Sequence, residues 1–286
     1  MNLNNFFCPV CKEAFVVTPA SLRCVVCGRV YEIVNGIPDL FVGDMERDFV
    51  GDPNQTWLDP KIVEARDTVY RFCARELEGM AFCMQEIRLR SRPGCRILEV
   101  GMGTGHFTRW LAEVVASGTE IYAFDFSWPI IEKAKINTQG SGGITLFRAN
   151  ARRLLPFKEE SFDMAFVRLA PFGTSGKSRA QAGYELLKPG GWYFEAGWDE
   201  NANSEVRPTE WAIRQGYKSA EYHVWQYRRI QTEEERTAQQ IEMERMTSFP
   251  GGPVQKTQAQ NYQDDDGRTW KMTTEYLLIA QKPLGG

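Results

Sequence analysis

Four of the seven cysteines stand in two pairs with the spacing of metal ligands. Cys8 and Cys11 form one Cys-x-x-Cys, Cys24 and Cys27 form the other, and twelve residues separate the pairs. Each pair predicts a tight turn that directs two thiolates at one point, and Zn²⁺ prefers four such sulfur ligands in a tetrahedron. Burial as small hydrophobic residues explains one or two cysteines, but not four at this spacing. We therefore expect a structural zinc site; sulfur ligation alone leaves iron as the alternative.

A glycine-rich turn follows a short apolar run. Residues 96–100 have the composition of a strand that is buried on both faces. Gly101, Gly103 and Gly105 then allow positive φ and close approach of a ligand to the backbone. From His106 onward the apolar residues fall at helical spacing, so the turn joins a strand to a helix. A dinucleotide fingerprint would place its third glycine at residue 106, which argues against a nicotinamide-dependent oxidoreductase.

Two carboxylates stand in or at the end of the apolar runs. Asp125 ends a second apolar run, twenty residues after Gly105. A carboxylate at the tip of the second strand can accept hydrogen bonds from both hydroxyls of a ribose. Glu99 lies inside the first apolar strand, where a charge is costly unless it is paired.

The pattern E-x-G-x-G-x-G over residues 99–105 resembles motif I of the class I S-adenosylmethionine-dependent methyltransferases. Two later stretches are similar to that family as well: residues 148–157, which keep its small residues and its Leu-Pro-Phe, and the Lys-Pro-Gly-Gly turn at 188–191. The resemblance covers residues 95–197 and a closing hairpin. It implies an α/β fold with a Rossmann-like seven-stranded sheet, and S-adenosylmethionine as the cofactor.

The resemblance also implies which residues hold the cofactor. The acid at the position of Glu99 lies near the ammonium group at the methionine end. Asn150 stands where the family usually has aspartate, and its amide can still pair with an adenine edge. Arg168 lies near the ligand-facing end of the fourth strand, where contact with the substrate stays open. The full set of expected cofactor contacts is Glu99, Gly101, Gly103, Gly105, Asp125, Phe126, Asn150, Ala151 and Arg168. No catalytic residue is named, because a sulfonium cofactor carries the reactive chemistry itself.

The chain divides into a zinc ribbon (1–43), a linker with helices (44–95) and a methyltransferase domain (96–286). The ribbon resembles small zinc-ribbon domains that accompany methyltransferases. It is also similar to the metal site of large-subunit rRNA guanine methyltransferases, in which a histidine tends to stand near the fourth ligand. We expect the ribbon to be a separate unit that needs metal because its core is small. Residues 198–231 match no family motif and are interpreted as a variable insertion on the substrate side.

Three further expectations concern local structure. Gly79 is expected to break the helical segment 63–89 into two helices. Trp57 and Tyr70 can face the cofactor pocket, since helices before motif I cover the cofactor in the resembled family, although aromatic residues at helical spacing are more often core residues. Residues 254–262 and 270–281 are expected to form the closing antiparallel hairpin around a turn at 264–267.

Composition limits the partners. The 286 residues carry a net charge of −3, so no overall field attracts the protein to nucleic acid or anionic lipid. No apolar run approaches the ~18 residues of a membrane span, and the first residues lack the pattern of a signal peptide. We expect a cytoplasmic location and no membrane contact.

The aromatic residues of 198–231 favour a small-molecule substrate in a mostly closed pocket. RNA stays open as the alternative substrate, since aromatic residues also stack on unpaired bases and the ribbon can dock RNA. A non-catalytic partner protein with the methyltransferase fold is the alternative from another class. The oligomeric state is not indicated.

Overall fold

The structure is a computed structural model that describes residues 3–49, 53–170, 177–198, 208–247, 261–263 and 269–285. The N-terminal part is a small four-stranded antiparallel sheet in the order β1-β2-β3-β4. Its strands are β1 (Phe15–Val17), β2 (Ser21–Cys24), β3 (Val30–Val34) and β4 (Ile37–Pro38).

Three helices precede the central sheet: α1 (Met45–Phe49), α2 (Pro60–Cys73) and α3 (Glu78–Arg90). Asp59 caps α2, because its carboxylate accepts a hydrogen bond from the Lys61 amide at 2.9 Å, and Pro60 favours the first helical position. The helical segment does divide in two, but the break lies at a short 3₁₀ turn over Ala74–Glu76. Gly79 lies in the first turn of α3 instead, where it packs against Trp225 and Glu275.

The central sheet confirms the expected seven-stranded α/β fold. Its order is β10-β12-β9-β8-β5-β6-β7, in which β7, β6, β5, β8 and β9 are parallel and β12 is antiparallel to both of its neighbours. The strands are β5 (Arg96–Val100), β6 (Glu120–Asp125), β7 (Ile144–Arg148), β8 (Phe162–Arg168), β9 (Leu187–Trp198), β10 (Ser219–Gln231), β11 (Asn261–Gln263, paired only with β12) and β12 (Thr269–Gln281).

The remaining helices are α4 (His106–Val114), α5 (Trp128–Asn137), α6 (Arg179–Leu186), α7 (Pro208–Arg214) and α8 (Glu233–Thr247). A buried apolar cluster covers each face of the central sheet. Successive side chains of β5 point to opposite faces and therefore belong to different clusters. Thr232 caps the start of α8, since its hydroxyl accepts a hydrogen bond from the Glu235 amide at 3.1 Å.

The substrate-side interpretation of 198–231 needs correction. Residues 219–231 form β10, which pairs with β12 along its whole length. The main partner of the closing strand is therefore β10. Within the predicted first arm, 254–262, residues 254–260 lie outside the described part of the chain, and Asn261 and Tyr262 pair with β12. The predicted turn at 264–267 also lies outside it.

The ribbon is not the separate unit that the sequence predicted, because it packs against the central domain. Phe6, Leu22, Cys24 and Leu40 belong to the same buried cluster as residues of β5 to β8. The Phe6 ring alone lies 5.0 to 5.6 Å from three aromatic rings of the central domain, those of Tyr122, Phe147 and Phe157.

Hydrogen bonds reinforce the same junction. The Leu40 amide donates to the Arg148 carbonyl at 2.9 Å, and the Arg148 guanidinium pairs with Asp39 at 3.0 Å. The ribbon therefore extends the core at the β7 edge of the central sheet. Among the described helices, none combines the length and the apolar character that a membrane span requires.

Candidate cofactor site

The glycine turn lies at the carboxyl end of β5, as expected. Gly101, Gly103 and Gly105 all have positive φ, from +54° to +85°. A Cβ on Gly101 would lie 2.4 Å from the Ala170 Cβ, whereas a Cβ on Gly103 would meet no atom within 4 Å. Packing therefore requires glycine at 101, and the backbone at 103 faces open space in which a ligand can approach it.

Asp125 ends β6 beside this turn and is 7 % exposed. Its carboxylate accepts hydrogen bonds from the amides of Phe126 at 2.8 Å and Gly103 at 3.3 Å. Burial raises the pKa of this carboxyl to about 6, although these amides and that of Ser127 act to lower it. The backbone amides hold the carboxylate at the cavity wall, where it can accept further hydrogen bonds from a ligand.

Glu99 is 2 % exposed in the middle of β5. Its Oε2 atom has no hydrogen-bond partner among the described residues. Burial raises the pKa of the Glu99 carboxyl to about 8, opposed by Thr108 and the Arg168 guanidinium. A buried carboxyl oxygen without a hydrogen bond is costly, so the Oε2 atom suits a ligand that brings a hydrogen-bond donor or a cation.

Arg168 is the last residue of β8 and lies between Asp125 and Glu99. Its guanidinium donates to the Tyr70 hydroxyl at 2.9 Å and lies 4.2 Å from the centre of the Phe107 ring. Arg168 lines both cavities described below, which places it within reach of a cofactor and of a substrate.

Two adjoining cavities bring the expected residues together. The larger, of about 140 Å³, is lined by Gly101, Gly103, Asp125, Phe126, Asn150, Ala151 and Arg168, among others. The smaller, of about 30 Å³, is lined by Glu99, Gly101, Gly103, Gly105 and Arg168, among others. The nine expected contacts therefore surround one continuous site, with Asp125 on the larger cavity and Glu99 on the smaller.

The Asn150 side chain already has hydrogen-bond partners within the protein, which the role interpreted from sequence did not include. Its side-chain nitrogen donates to Asp48 at 2.9 Å, and its oxygen accepts from the Arg152 amide at 3.0 Å. Pairing of this amide with an adenine edge would therefore replace the hydrogen bond to Asp48.

Sequence reasoning left one wall of the site undecided. Trp57 and Tyr70, for which pocket and core were both open, line the larger cavity together with Phe49 and Arg66. The Arg66 guanidinium lies 4.8 Å from the centre of the Trp57 ring and pairs with Glu242 of α8 at 2.7 Å. Helical spacing places Tyr70 on the buried face of α2, but it does not distinguish a core contact from a cavity wall.

A feature that sequence reasoning missed holds the glycine turn from behind. His106 Nε2 lies 2.9 Å from Asp67 Oδ1, and the Asn137 amide donates to the Thr104 carbonyl at 2.8 Å and to Asp67 at 2.5 Å. Although burial acts to raise the pKa of Asp67, the hydrogen bonds from His106 and Asn137 outweigh it, and the pKa is lowered. This network joins α2, α4 and α5 and positions the turn.

The aromatic residues proposed for the substrate lie elsewhere. Tyr217 is 2 % exposed and donates to the Ala180 carbonyl, while Tyr222 and Trp225 belong to β10. None of the described residues of 198–231 lines the two cavities. The side chains of Trp198 and Tyr227, and all of residues 199–207, lie outside the described part.

The four cysteines of the ribbon converge as their spacing predicts. The sulfur atoms of Cys8, Cys11, Cys24 and Cys27 all lie within 4.8 Å of one another, and the shortest separation is 3.3 Å, between Cys11 and Cys24. A tetrahedral site with Zn–S bonds of ~2.3 Å needs sulfur separations of about 3.8 Å. The sulfur separations lie around this value, so the four cysteines form a candidate site for a tetrahedral metal ion.

Replacement of Asp125 by alanine tests the ribose assignment. We expect binding of S-adenosylhomocysteine to weaken by ~1–3 kcal/mol, the cost of losing a charged hydrogen-bond acceptor. The free protein should not lose stability at pH 8, because the raised pKa shows that burial of the ionised carboxylate is unfavourable. Calorimetry measures the affinity, thermal melts give the stability, and D125N is the control of matched volume. An unchanged affinity in D125A would place the ribose elsewhere.

Comparisons with known proteins agree with this geometry. Residues 97–191 match the family described as "Methyltransferase domain". The demethylmenaquinone methyltransferase of Geobacillus kaustophilus is 36% identical over 82 residues, which cover 28% of this chain and 35% of the relative. The same enzyme of Anoxybacillus flavithermus is 31% identical over 111 residues, covering 36% and 45% respectively. The chain thus spans less than half the length of these relatives.

Among solved structures, the YcgJ protein of Bacillus subtilis superposes with a TM-score of 0.51 at 17% identity. The match covers 72% of this chain and 99% of that one, and it shows a shared fold. The glycine turn, Asp125, Asn150 and Arg168 all lie within the stretch that matches the family. Residues 97–191 of this chain therefore match the methyltransferase domain family.

Proposed function

We propose that this protein is an S-adenosylmethionine-dependent methyltransferase that acts on a small molecule. The observation that carries the proposal is the joint position of two buried carboxyls, Asp125 and Glu99, on either side of an open glycine turn. A nucleoside attached to an amino acid needs an acceptor for the ribose hydroxyls and a second acceptor for an ammonium group. The two carboxyls supply these acceptors, and Gly103 lets the ligand approach the backbone between them.

The residues of the chain then have separate tasks. When bound, the cofactor supplies a methyl group that is activated by attachment to a sulfonium. Asp125 would bind the ribose, Glu99 would accept a hydrogen bond from the ammonium group, and Arg168 lies between them at the end of β8. Their effect is to fix the orientation of the reactants, which accounts for much of the rate enhancement in such displacements.

A small-molecule substrate is supported by one wall of the larger cavity. Phe49 and Phe126 lie where the adenine is expected, and Trp57 and Tyr70 line the cavity as further aromatic walls. These two side chains suit an apolar or aromatic substrate beside the cofactor. The relatives named as demethylmenaquinone methyltransferases are consistent with a substrate of this kind.

RNA is the second candidate, supported by a groove between ribbon and domain. This groove of about 580 Å³ is lined by the cations Lys12, Arg153, Lys158 and Lys177, and it shares Ala151 with the cofactor cavity. Three carboxylates, those of Glu13, Glu159 and Glu185, line the same groove and offset most of its charge. We therefore place the small molecule first.

We also propose that the ribbon binds one structural zinc ion. The support is the convergence of four sulfur atoms at separations close to those of a tetrahedral site. The ribbon would then stabilise the β7 edge of the domain.

The experiment combines a binding assay with a transfer assay. S-adenosylmethionine and S-adenosylhomocysteine should each raise the melting temperature, and NAD should not. Methyl-labelled cofactor should then label a small molecule in a metabolite extract, with turnover little changed between low and physiological salt. Label that enters rRNA or tRNA and is lost at moderate salt would instead show RNA as the substrate, since phosphate contacts weaken steeply with salt. A thermal shift with NAD alone would refute the methyltransferase proposal.

A further inference from the structure

Two consecutive residues of α1, Asp48 and Phe49, contact the residues expected to hold the adenine. The Phe49 ring stacks on the Phe126 ring, with 4.2 Å between the ring centres and 6° between their planes. Both rings line the larger cavity. Because this is already a contact distance for two flat rings, no purine fits between them.

Phe126 is the natural surface for a purine at this site. It directly follows Asp125, whose carboxylate is the expected ribose acceptor, and a base lies one glycosidic bond away from its ribose. An apolar aromatic face beside that carboxylate favours stacking of a flat heterocycle. In this conformation, Phe49 covers one face of Phe126.

Asp48 similarly engages the polar partner expected for the base. Its Oδ2 atom accepts the hydrogen bond of the Asn150 amide at 2.9 Å, as an acceptor nitrogen of a purine would. The Arg153 guanidinium, which donates to both carboxylate oxygens of Asp48, fixes this arrangement. Gly43 provides the space, since a Cβ there would lie 2.2 Å from Asp48 Oδ2.

The size of the site agrees with partial closure by α1. The two cavities hold about 140 and 30 Å³, whereas sites for ligands of cofactor size enclose ~300–1,000 Å³. Phe49 is 2 % exposed, so its ring fills space within the site.

We propose that Asp48 and Phe49 of α1 act as an internal competitor of the adenine, so that α1 must leave Phe126 and Asn150 before the cofactor binds. This inference rests on the proposed function. The phenyl ring takes the stacking position, and the carboxylate takes the hydrogen bond of Asn150. The observed association constant then equals the association constant of the open form multiplied by the fraction of molecules that are open.

The competition predicts that two substitutions near the site strengthen cofactor binding instead of weakening it. Removing the ring in F49A, or the ionic anchor in R153Q, favours the open form and should tighten binding of S-adenosylhomocysteine roughly three- to tenfold. Arg153 lines the neighbouring groove rather than the cofactor cavity, so R153Q leaves the proposed cofactor contacts intact. K158Q is the matched control, because Lys158 lines that groove with its ammonium over Phe7, and its affinity should equal that of wild type.

Calorimetry with S-adenosylhomocysteine on the full-length wild type, F49A, R153Q and K158Q tests the competition. The same measurement with 5′-methylthioadenosine should give the same ratios of variant to wild-type affinity, because this ligand keeps the adenine. If F49A does not fold, R153Q decides alone. Equal or weaker binding by a folded F49A or R153Q, beside a wild type that binds, would overturn the competition and assign α1 as a cover over bound cofactor. Failure of all four proteins to bind would refute the proposed function itself.

Discussion

Replacing Cys24 by serine is expected to destabilise the central domain as well as the ribbon. Cys24 is 1 % exposed and belongs to the buried cluster that includes strands β5 to β8. If the ribbon holds zinc as proposed, its metal-binding energy is also folding energy, of the order of 10 kcal/mol in isolated zinc fingers. We expect C24S to lose zinc and to melt at least 10 °C lower in a single transition, with a weakened cofactor site.

The matched control is C73A. Cys73 is a buried thiol of α2, 2 % exposed, and it lies outside the ribbon. C73A should keep one zinc per chain and lose little stability, which separates the loss of metal from the loss of a buried thiol. Elemental analysis gives the zinc content, and melts monitored by circular dichroism give the stability. Full zinc content in C24S, or cleavage confined to residues 1–43 with an unchanged domain, would contradict the shared core.

The features predicted from sequence are those in which local pattern and chemistry agree. The apolar run 96–100 and the three glycines predict a strand, a turn and a helix, and the structure has β5 and α4 around that turn. Asp125 ends its strand at the carboxyl edge of the sheet, where parallel strands place their ligand-binding residues. The Cys-x-x-Cys pairs fix their own local turns, so the four sulfur atoms converge as expected.

The features that escaped prediction depend on contacts distant in sequence. Phe6 lies near the N-terminus, yet its ring packs among three aromatic rings of the central domain. No local pattern shows that Asp48 pairs with Asn150, 102 positions along the chain. Strand β10 was missed because it is an edge strand, whose half-exposed face gives it a mixed polar composition.

Binding of the cofactor is expected to release a proton from Glu99. Burial raises the pKa of this carboxyl to about 8, so most of the free protein carries the proton at pH 7. An ammonium group beside Glu99 favours the ionised form and lowers the pKa again. Calorimetry in buffers of different ionisation enthalpy should therefore detect proton release when the cofactor binds at pH 7. The E99Q variant should bind about tenfold more weakly and release little.

Stability of the free protein gives an independent measure of the same group. The unfolded chain loses this proton near pH 4.5, while the folded state keeps it to about pH 8. The folded state therefore binds more protons in this window, and the free energy of unfolding must fall as the pH rises. Asp125, whose pKa is raised to about 6, acts in the same direction over a narrower range. We expect wild type to lose on the order of 5 kcal/mol between pH 5 and pH 8 from these two carboxyls, and E99Q to lose distinctly less. A flat wild-type profile together with no proton release on binding would show that Glu99 is already ionised in the free protein.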